Sequence, residues 1–199
     1  MVRIAVLVSG GGTNLEALLK AEEAGRIPSG RIELVVADRP SYALERAANH
    51  GRKAVLIERR KTGMKLFSSE LIDVLCNHRI DMVILAGFLS ILPPSVIDQY
   101  RDRIINIHPS LIPSFCGKGF YGIKVHEAAL ERGVKVTGAT VHLVNEIPDG
   151  GRILIQKAVA VLPGDDPETL QKRVMEEAEW KILPEAAQMI AKEIEDESR

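Results

Sequence analysis

Residues 3–19 read RIAVLVSGGGTNLEALL, and the succession of patterns inside this stretch decides the fold. "RIAVLV" (3–8) is a continuous apolar run, as expected of a strand buried on both faces. "SGGGTN" (9–14) ends it, and Leu15, Leu18 and Leu19 then follow the i, i+3, i+4 spacing of an amphipathic helix. The same unit recurs downstream. Strands are expected at "IELVVA" (32–37), "KAVLI" (53–57), "MVILA" (82–86) and "RIINI" (103–107), with helices at about 41–50, 65–78 and 94–100. This alternation predicts an α/β fold, a doubly wound and mostly parallel sheet with helices on both faces. Ligands of such sheets bind at the carboxyl ends of the strands.

Beyond residue 133 the pattern changes. "VKVTGATVHLV" (134–144) and "RILIQKAVAVL" (152–162) are strand-like runs joined by "NEIPDGG", which predicts an antiparallel C-terminal addition to the sheet. Asp166 as N-cap and Pro167 at the first helical position open a helix reaching about residue 195. Pro184 is expected to break it or to start a turn, and "EIEDESR" to form a fraying end. With no linker, repeat or low-complexity block, residues 1–199 are expected to form one domain.

Composition narrows the function classes. Hydrophobic residues make up 46% of the 199 residues and the formal charge is −1, so no basic excess marks a general nucleic-acid binder. No apolar run has the length of a membrane span, and the N-terminal run ends in glycines as a first strand would, not a signal peptide. Cys76 and Cys116 have no metal spacing, which fits a reducing cytoplasm.

Two stretches carry candidate chemistry. The glycines of "SGGGTN" let backbone N–H groups approach an anion at a helix N-terminus, and Thr13 and Asn14 can add side-chain bonds. The loop is neither a full dinucleotide nor a Walker pattern, and a tight capped turn is an equal reading. In "IINIHPSLIPSF" (104–115), strand alternation puts Asn106 and His108 on one face, and Pro109 ends ladder pairing at once. That pairing of amide and imidazole separates His108 from the other histidines. His50 and His78 fall near helix ends at the surface, His126 is a packing or solvent-facing helix residue, and His142 reads as a satisfied core histidine. Asp149 precedes two glycines and matters only if the fold brings it to the same strand ends.

Five stretches in this order, "VLVSGGGTNLEALL", "MVILAGFLSILPP", "INIHPSLIPSFCGKG", "VKVTGATVHLVNEIPDGG" and "EAEWKILPEA", resemble the folate-dependent formyltransferases, in their phosphoribosylglycinamide branch. The resemblance covers nearly the whole chain. It implies 10-formyltetrahydrofolate as co-substrate and formyl donor, glycinamide ribonucleotide as amine acceptor, and no metal. A homodimer is admitted, although the sequence itself does not fix the oligomeric state; no nucleic-acid or membrane partner is expected. Carried over by position, it implies a catalytic trio of Asn106, His108 and Asp149. The ribonucleotide phosphate falls on Gly12, Thr13 and Asn14, and its ribose on Glu179. The folate pocket falls on Met64, Leu89, Ser90, Ile91, Leu92, Ile97, Ile104, Asn106 and Val144.

The implied chemistry suits these residue types. An amine attacks a formyl carbon, and Asn106 and a protonated His108 donate to the oxygen that gains charge. Asp149 favours the imidazolium and assists proton transfer through water. The glycines of "GKGFYG" (117–122) suggest a loop able to close over the site. Relatives often carry arginine at the positions of Met64 and Ser90, proline at Arg152 and histidine at Trp180; these departures bear on affinity for the folate tail and leave the trio intact. Three rivals remain. A formyltetrahydrofolate hydrolase usually carries an N-terminal regulatory domain. A methionyl-tRNA formyltransferase needs an RNA-binding C-terminal extension and more positive charge. A non-catalytic nucleotide module leaves the trio unexplained.

Overall fold

The computed structural model describes residues 1–198, the Thr62 side chain excepted. Seven strands form one sheet: β1 (Val2–Val8), β2 (Gly30–Ala37), β3 (Lys53–Leu56), β4 (Met82–Leu85), β5 (Ile104–His108), β6 (Val136–Leu143) and β7 (Ile153–Ala160). Their order across the sheet is β3-β2-β1-β4-β5-β6-β7. The first five run parallel, β6 is antiparallel to β5, and β7 is antiparallel to β6. The doubly wound sheet with its antiparallel C-terminal addition is therefore as the sequence predicts. Strand order reverses between β1 and β4, which makes the carboxyl ends there the natural crevice.

The helices are α1 (Thr13–Glu23), α2 (Tyr42–Asn49), α3 (Arg59–Asn77), α4 (Pro94–Gln99), α5 (Ile123–Arg132), α6 (Pro167–Val174) and α7 (Trp180–Glu197). Alternate residues of β1 serve opposite layers. Ile4, Val6 and Val8 pack with Leu15 and Leu18 of α1 and with Ile190 of α7. Ala5 and Leu7 pack with Phe67, Leu71 and Leu75 of α3 and with Val96 of α4. The continuous apolar runs arise from this two-sided burial.

Three expectations need correction. The "KAVLI" strand is not buried on both faces: β3 is a sheet edge, and Lys53, Ala54 and Leu56 are exposed. Pro184 does not break the C-terminal helix, because it lies inside α7 as the fifth residue of that helix. The irregularity lies just upstream, where Met175–Glu179 form a π-helical turn between α6 and α7. Nor does "EIEDESR" fray through its described part, since α7 continues to Glu197; Arg199 lies outside the described residues. The expected cap is present, with Asp166 Oδ1 accepting the Thr169 N–H at 2.7 Å.

Candidate active site

The end of β5 and the loop after β6 build the polar centre. Asn106 sits opposite His142 in the β5–β6 register, and His108 opposite Thr140. After β6 the chain turns through residues 144–152 and returns as β7, carrying Asp149 at a positive φ of 55°. That turn brings Asp149 between two imidazoles: its Oδ2 lies 3.7 Å from His108 Nδ1, and its Oδ1 lies 3.5 Å from His142 Nε2. The Gly117 N–H donates to Asp149 Oδ2 at 2.8 Å. The trio implied by the sequence is thus gathered, and His142 joins it.

Hydrogen bonds fix which nitrogen of each ring does what. The Phe115 carbonyl can only accept, so His108 Nε2, 2.8 Å away, carries a proton. Its Nδ1, on the Asp149 side, is then the nitrogen whose protonation changes. The Leu143 carbonyl accepts from His142 Nδ1 at 2.8 Å, which leaves Nε2 of the neutral ring to accept from the Asn106 amide at 3.1 Å. This bond orients Asn106 and leaves its second N–H available.

Burial lowers the His108 pKa below its usual value and the charge of His142 adds to this, while Asp149 and the Phe115 carbonyl act the other way without reversing it. Burial opposes ionisation of Asp149, but the adjacent imidazoles of His142 and His108 and the Gly117 N–H together hold its pKa below the ordinary range. His126 is the buried alternative of its two readings. It is fully enclosed with neither ring nitrogen hydrogen-bonded, and burial, then His108, push it down to about 4.

A cleft of about 540 Å³ opens beside this cluster. Met64, Leu89, Ser90, Ile91, Leu92, Ile97, Asn106 and Val144 line it. Ile104 does not: it is buried in the core beneath, where its carbonyl accepts the Val144 N–H. Residues 117–122, expected to cover the site, form part of the wall, with Phe120 edge-on to Phe115 at 6.3 Å. The Ser90 hydroxyl is bonded to Asp38, whose carboxylate is also held by Arg39 through two N–H groups. Asp38 and Arg39 carried no signal in the sequence, because their role depends on β2 ending beside the loop after β4.

The glycine loop stands at the neighbouring end of β1. The Leu89 N–H donates to Ser9 Oγ at 2.8 Å, joining this loop to the cleft wall. Gly12 is the N-cap of α1 at φ 73°, and a Cβ there would lie 2.7 Å from Ala43 Cβ. The side chains of Thr13 and Asn14 turn toward the C-terminal helix: Asn14 Nδ2 donates to Glu179 Oε2 at 2.6 Å, and Thr13 Oγ1 contacts Met175 Sδ at 3.6 Å. Backbone N–H groups of the first turn of α1, which lack intrahelical acceptors, remain to meet an anion. Glu179 closes the π-helical turn, and burial raises its pKa to about 7 against the opposing Asn14 bond. No cluster of potential metal ligands occurs among the described residues, and no helix among them is long and apolar enough to cross a membrane.

A mostly parallel sheet of this strand order, closed by an antiparallel C-terminal pair, is the architecture of a formyl transferase. Residues 2–187 match the formyl transferase family, and the chain belongs to it. Within that family it is similar to phosphoribosylglycinamide formyltransferases. It is 41% identical to the chloroplastic one of Arabidopsis thaliana over 96% of this chain and 66% of that protein. It is 36% identical to that of Haemophilus influenzae over 92% of this chain and 84% of that protein. The crystal structure of glycinamide ribonucleotide transformylase 1 from Symbiobacterium toebii superposes with a TM-score of 0.90 at 41% identity, covering 96% of this chain and 88% of that one. The chain spans about two thirds or less of several longer relatives, among them 18% of the human trifunctional purine biosynthetic protein adenosine-3.

Proposed function

We propose that this protein transfers a formyl group from 10-formyltetrahydrofolate to the amine of glycinamide ribonucleotide, a step of purine biosynthesis. The observation that carries the reading is the convergence of Asn106, His108 and Asp149 at the polar end of an apolar cleft. The cleft volume lies within the range of small-molecule sites, and its apolar floor with a few convergent polar groups suits a flat heterocycle. The folate supplies an electrophilic formyl carbon. The chain supplies what stabilises and moves charge around it.

Asn106, oriented by His142, presents its free N–H to the oxygen that becomes negative. His108, protonated at Nδ1, is the second donor, with Asp149 stabilising that charge. Burial works against that charge and the Asp149 carboxylate works for it, so the second donor depends on the carboxylate beside it. Asp149, held by Gly117, assists passage of the proton from the attacking amine toward the leaving nitrogen. The glycine loop holds the acceptor phosphate through backbone N–H groups, and Glu179 meets the ribose. Remote binding of this kind places the amine for attack.

The test is a formyl-transfer assay with glycinamide ribonucleotide, a phosphate-free analogue, water and tRNA as competing acceptors. Transfer to the ribonucleotide should dominate, and the phosphate-free analogue should lose much of kcat/KM. Equal use of both amines, or preferred use of water or tRNA, would overturn the assignment.

A further inference from the structure

The glycine loop is shaped from outside by α2, and we propose that Arg46 is the positioning residue that aims its amide groups at the acceptor phosphate. This rests on the phosphate reading of the loop given above. Arg46 Nε–H donates to the Gly11 carbonyl at 2.8 Å across 35 residues of sequence. Three residues earlier in α2, the Ala43 N–H donates to the Gly10 carbonyl at 3.3 Å. In a trans peptide the carbonyl and the following N–H point in opposite directions. With the carbonyls of Gly10 and Gly11 drawn toward α2, the N–H groups of Gly11 and Gly12 face away from it. Two of the loop's donors are therefore oriented by a helix that supplies no residue to the catalytic trio.

The loop needs such a clamp. Around Gly10 and Gly11 a Cβ would meet nothing within 4 Å, so that side of the backbone faces open space. Glycine is also the residue with most conformational freedom to lose. Arg46, by contrast, is fixed on three sides. Its Nη1 donates to Glu16 Oε2 at 3.1 Å, and its guanidinium lies 5.0 Å from the centre of the Tyr42 ring. Glu16 is held in turn by Lys20 at 3.1 Å and lies 3.4 Å from His50. The nearby carboxylate offsets much of the guanidinium charge, so the contribution of Arg46 is chiefly geometric. A lysine would keep the charge but not the fork that bonds Gly11 and Glu16 in two directions.

Arg46→Met keeps an apolar stem and removes both donors. We expect KM for glycinamide ribonucleotide to rise by about tenfold, the scale of one lost charge-assisted bond, with kcat nearly unchanged. The phosphate-free acceptor and folate-analogue binding should be unaffected, and Arg46→Lys should fall between wild type and Arg46→Met. A merely structural role would lower activity toward both acceptors alike, and that result, or an unchanged KM, would overturn the proposal. If Arg46→Met does not fold, the same comparison is made with Arg46→Lys, where an unchanged KM for the ribonucleotide overturns it. A 31P titration with inorganic phosphate separates this inference from the assignment of function. Phosphate binding that weakens in the variant supports the clamp even if wild type transfers no formyl group. Undiminished binding in the variant rejects the clamp even if transfer is confirmed, and absence of phosphate binding in wild type rejects the clamp outright.

Discussion

At the scale of single residues, the chemistry depends on groups that cannot all be satisfied by one another. Asn106 gives one N–H to His142 and keeps one, while His108 gives Nε2–H to Phe115 and keeps Nδ1 open toward Asp149. Asn106→Ala or His108→Ala should each slow formyl transfer by about 100-fold or more, the scale of losing one oxyanion donor, with folate-analogue affinity little changed. Near-normal turnover in both variants would remove the oxyanion role. Asp149→Asn tests the charge coupling. The carboxylate raises the His108 pKa against burial, so its removal should lower that pKa further and reduce turnover. NMR titration of His108 in both proteins decides it, since an unchanged or higher value would leave Asp149 only a loop role. Asn106 and His108 stood out in the sequence, because an amide and an imidazole two residues apart at a strand end share one face. The resemblance then added Asp149. His142 was not legible: inside "ATVHLV" it looks like core, and only antiparallel pairing with β5 sets it opposite Asn106.

At the scale of elements, β5, β6 and the turn before β7 position the cluster. Gly151 is the tightest point of that turn, where a Cβ would lie 1.7 Å from the Leu143 carbonyl oxygen. Leu143 follows His142, and Asp149 stands two residues before Gly151, so any relief of that clash moves the cluster. Gly151→Ala should therefore destabilise the protein by about 1–3 kcal/mol, as overpacking does, and lower kcat more than it alters the midpoint of folate-analogue binding. Chemical unfolding together with steady-state kinetics would measure both, and an alanine variant of full stability and activity would show that the turn adjusts freely. Strand order here was readable as a class, since buried parallel strands leave continuous apolar runs. Edge position was not: "KAVLI" is as apolar as its neighbours, yet β3 has a partner on one side only. The passage of α7 through Pro184 was equally hidden. A proline lacks one N–H, and no local pattern announces that a π-helical turn will precede it.

At the scale of the whole molecule, the site joins the two ends of the chain, since Asn14 and Glu179 are 165 residues apart and share a buried hydrogen bond. Glu179 is expensive to keep there. Burial raises its pKa from an ordinary 4.5 to about 7, so the folded protein holds a proton that the unfolded chain releases. Between those two values the folded state binds more protons than the unfolded one, and stability falls as pH rises through the window; above about pH 7 the loss is complete. Its size, from a shift of this extent, is on the order of 3 kcal/mol, a large share of the roughly 5–15 kcal/mol that holds a typical domain together. Glu179→Gln keeps an acceptor for Asn14 and cannot titrate. Urea unfolding of both proteins from pH 5 to pH 8 should show the variant gaining on wild type most steeply between about pH 5 and 7 and levelling off above that. Parallel stability curves would mean that Glu179 is ionised in the folded protein at little cost. A gain in stability accompanied by weaker ribonucleotide binding would show why an acid remains at this position, as a group kept for the acceptor at the expense of the fold.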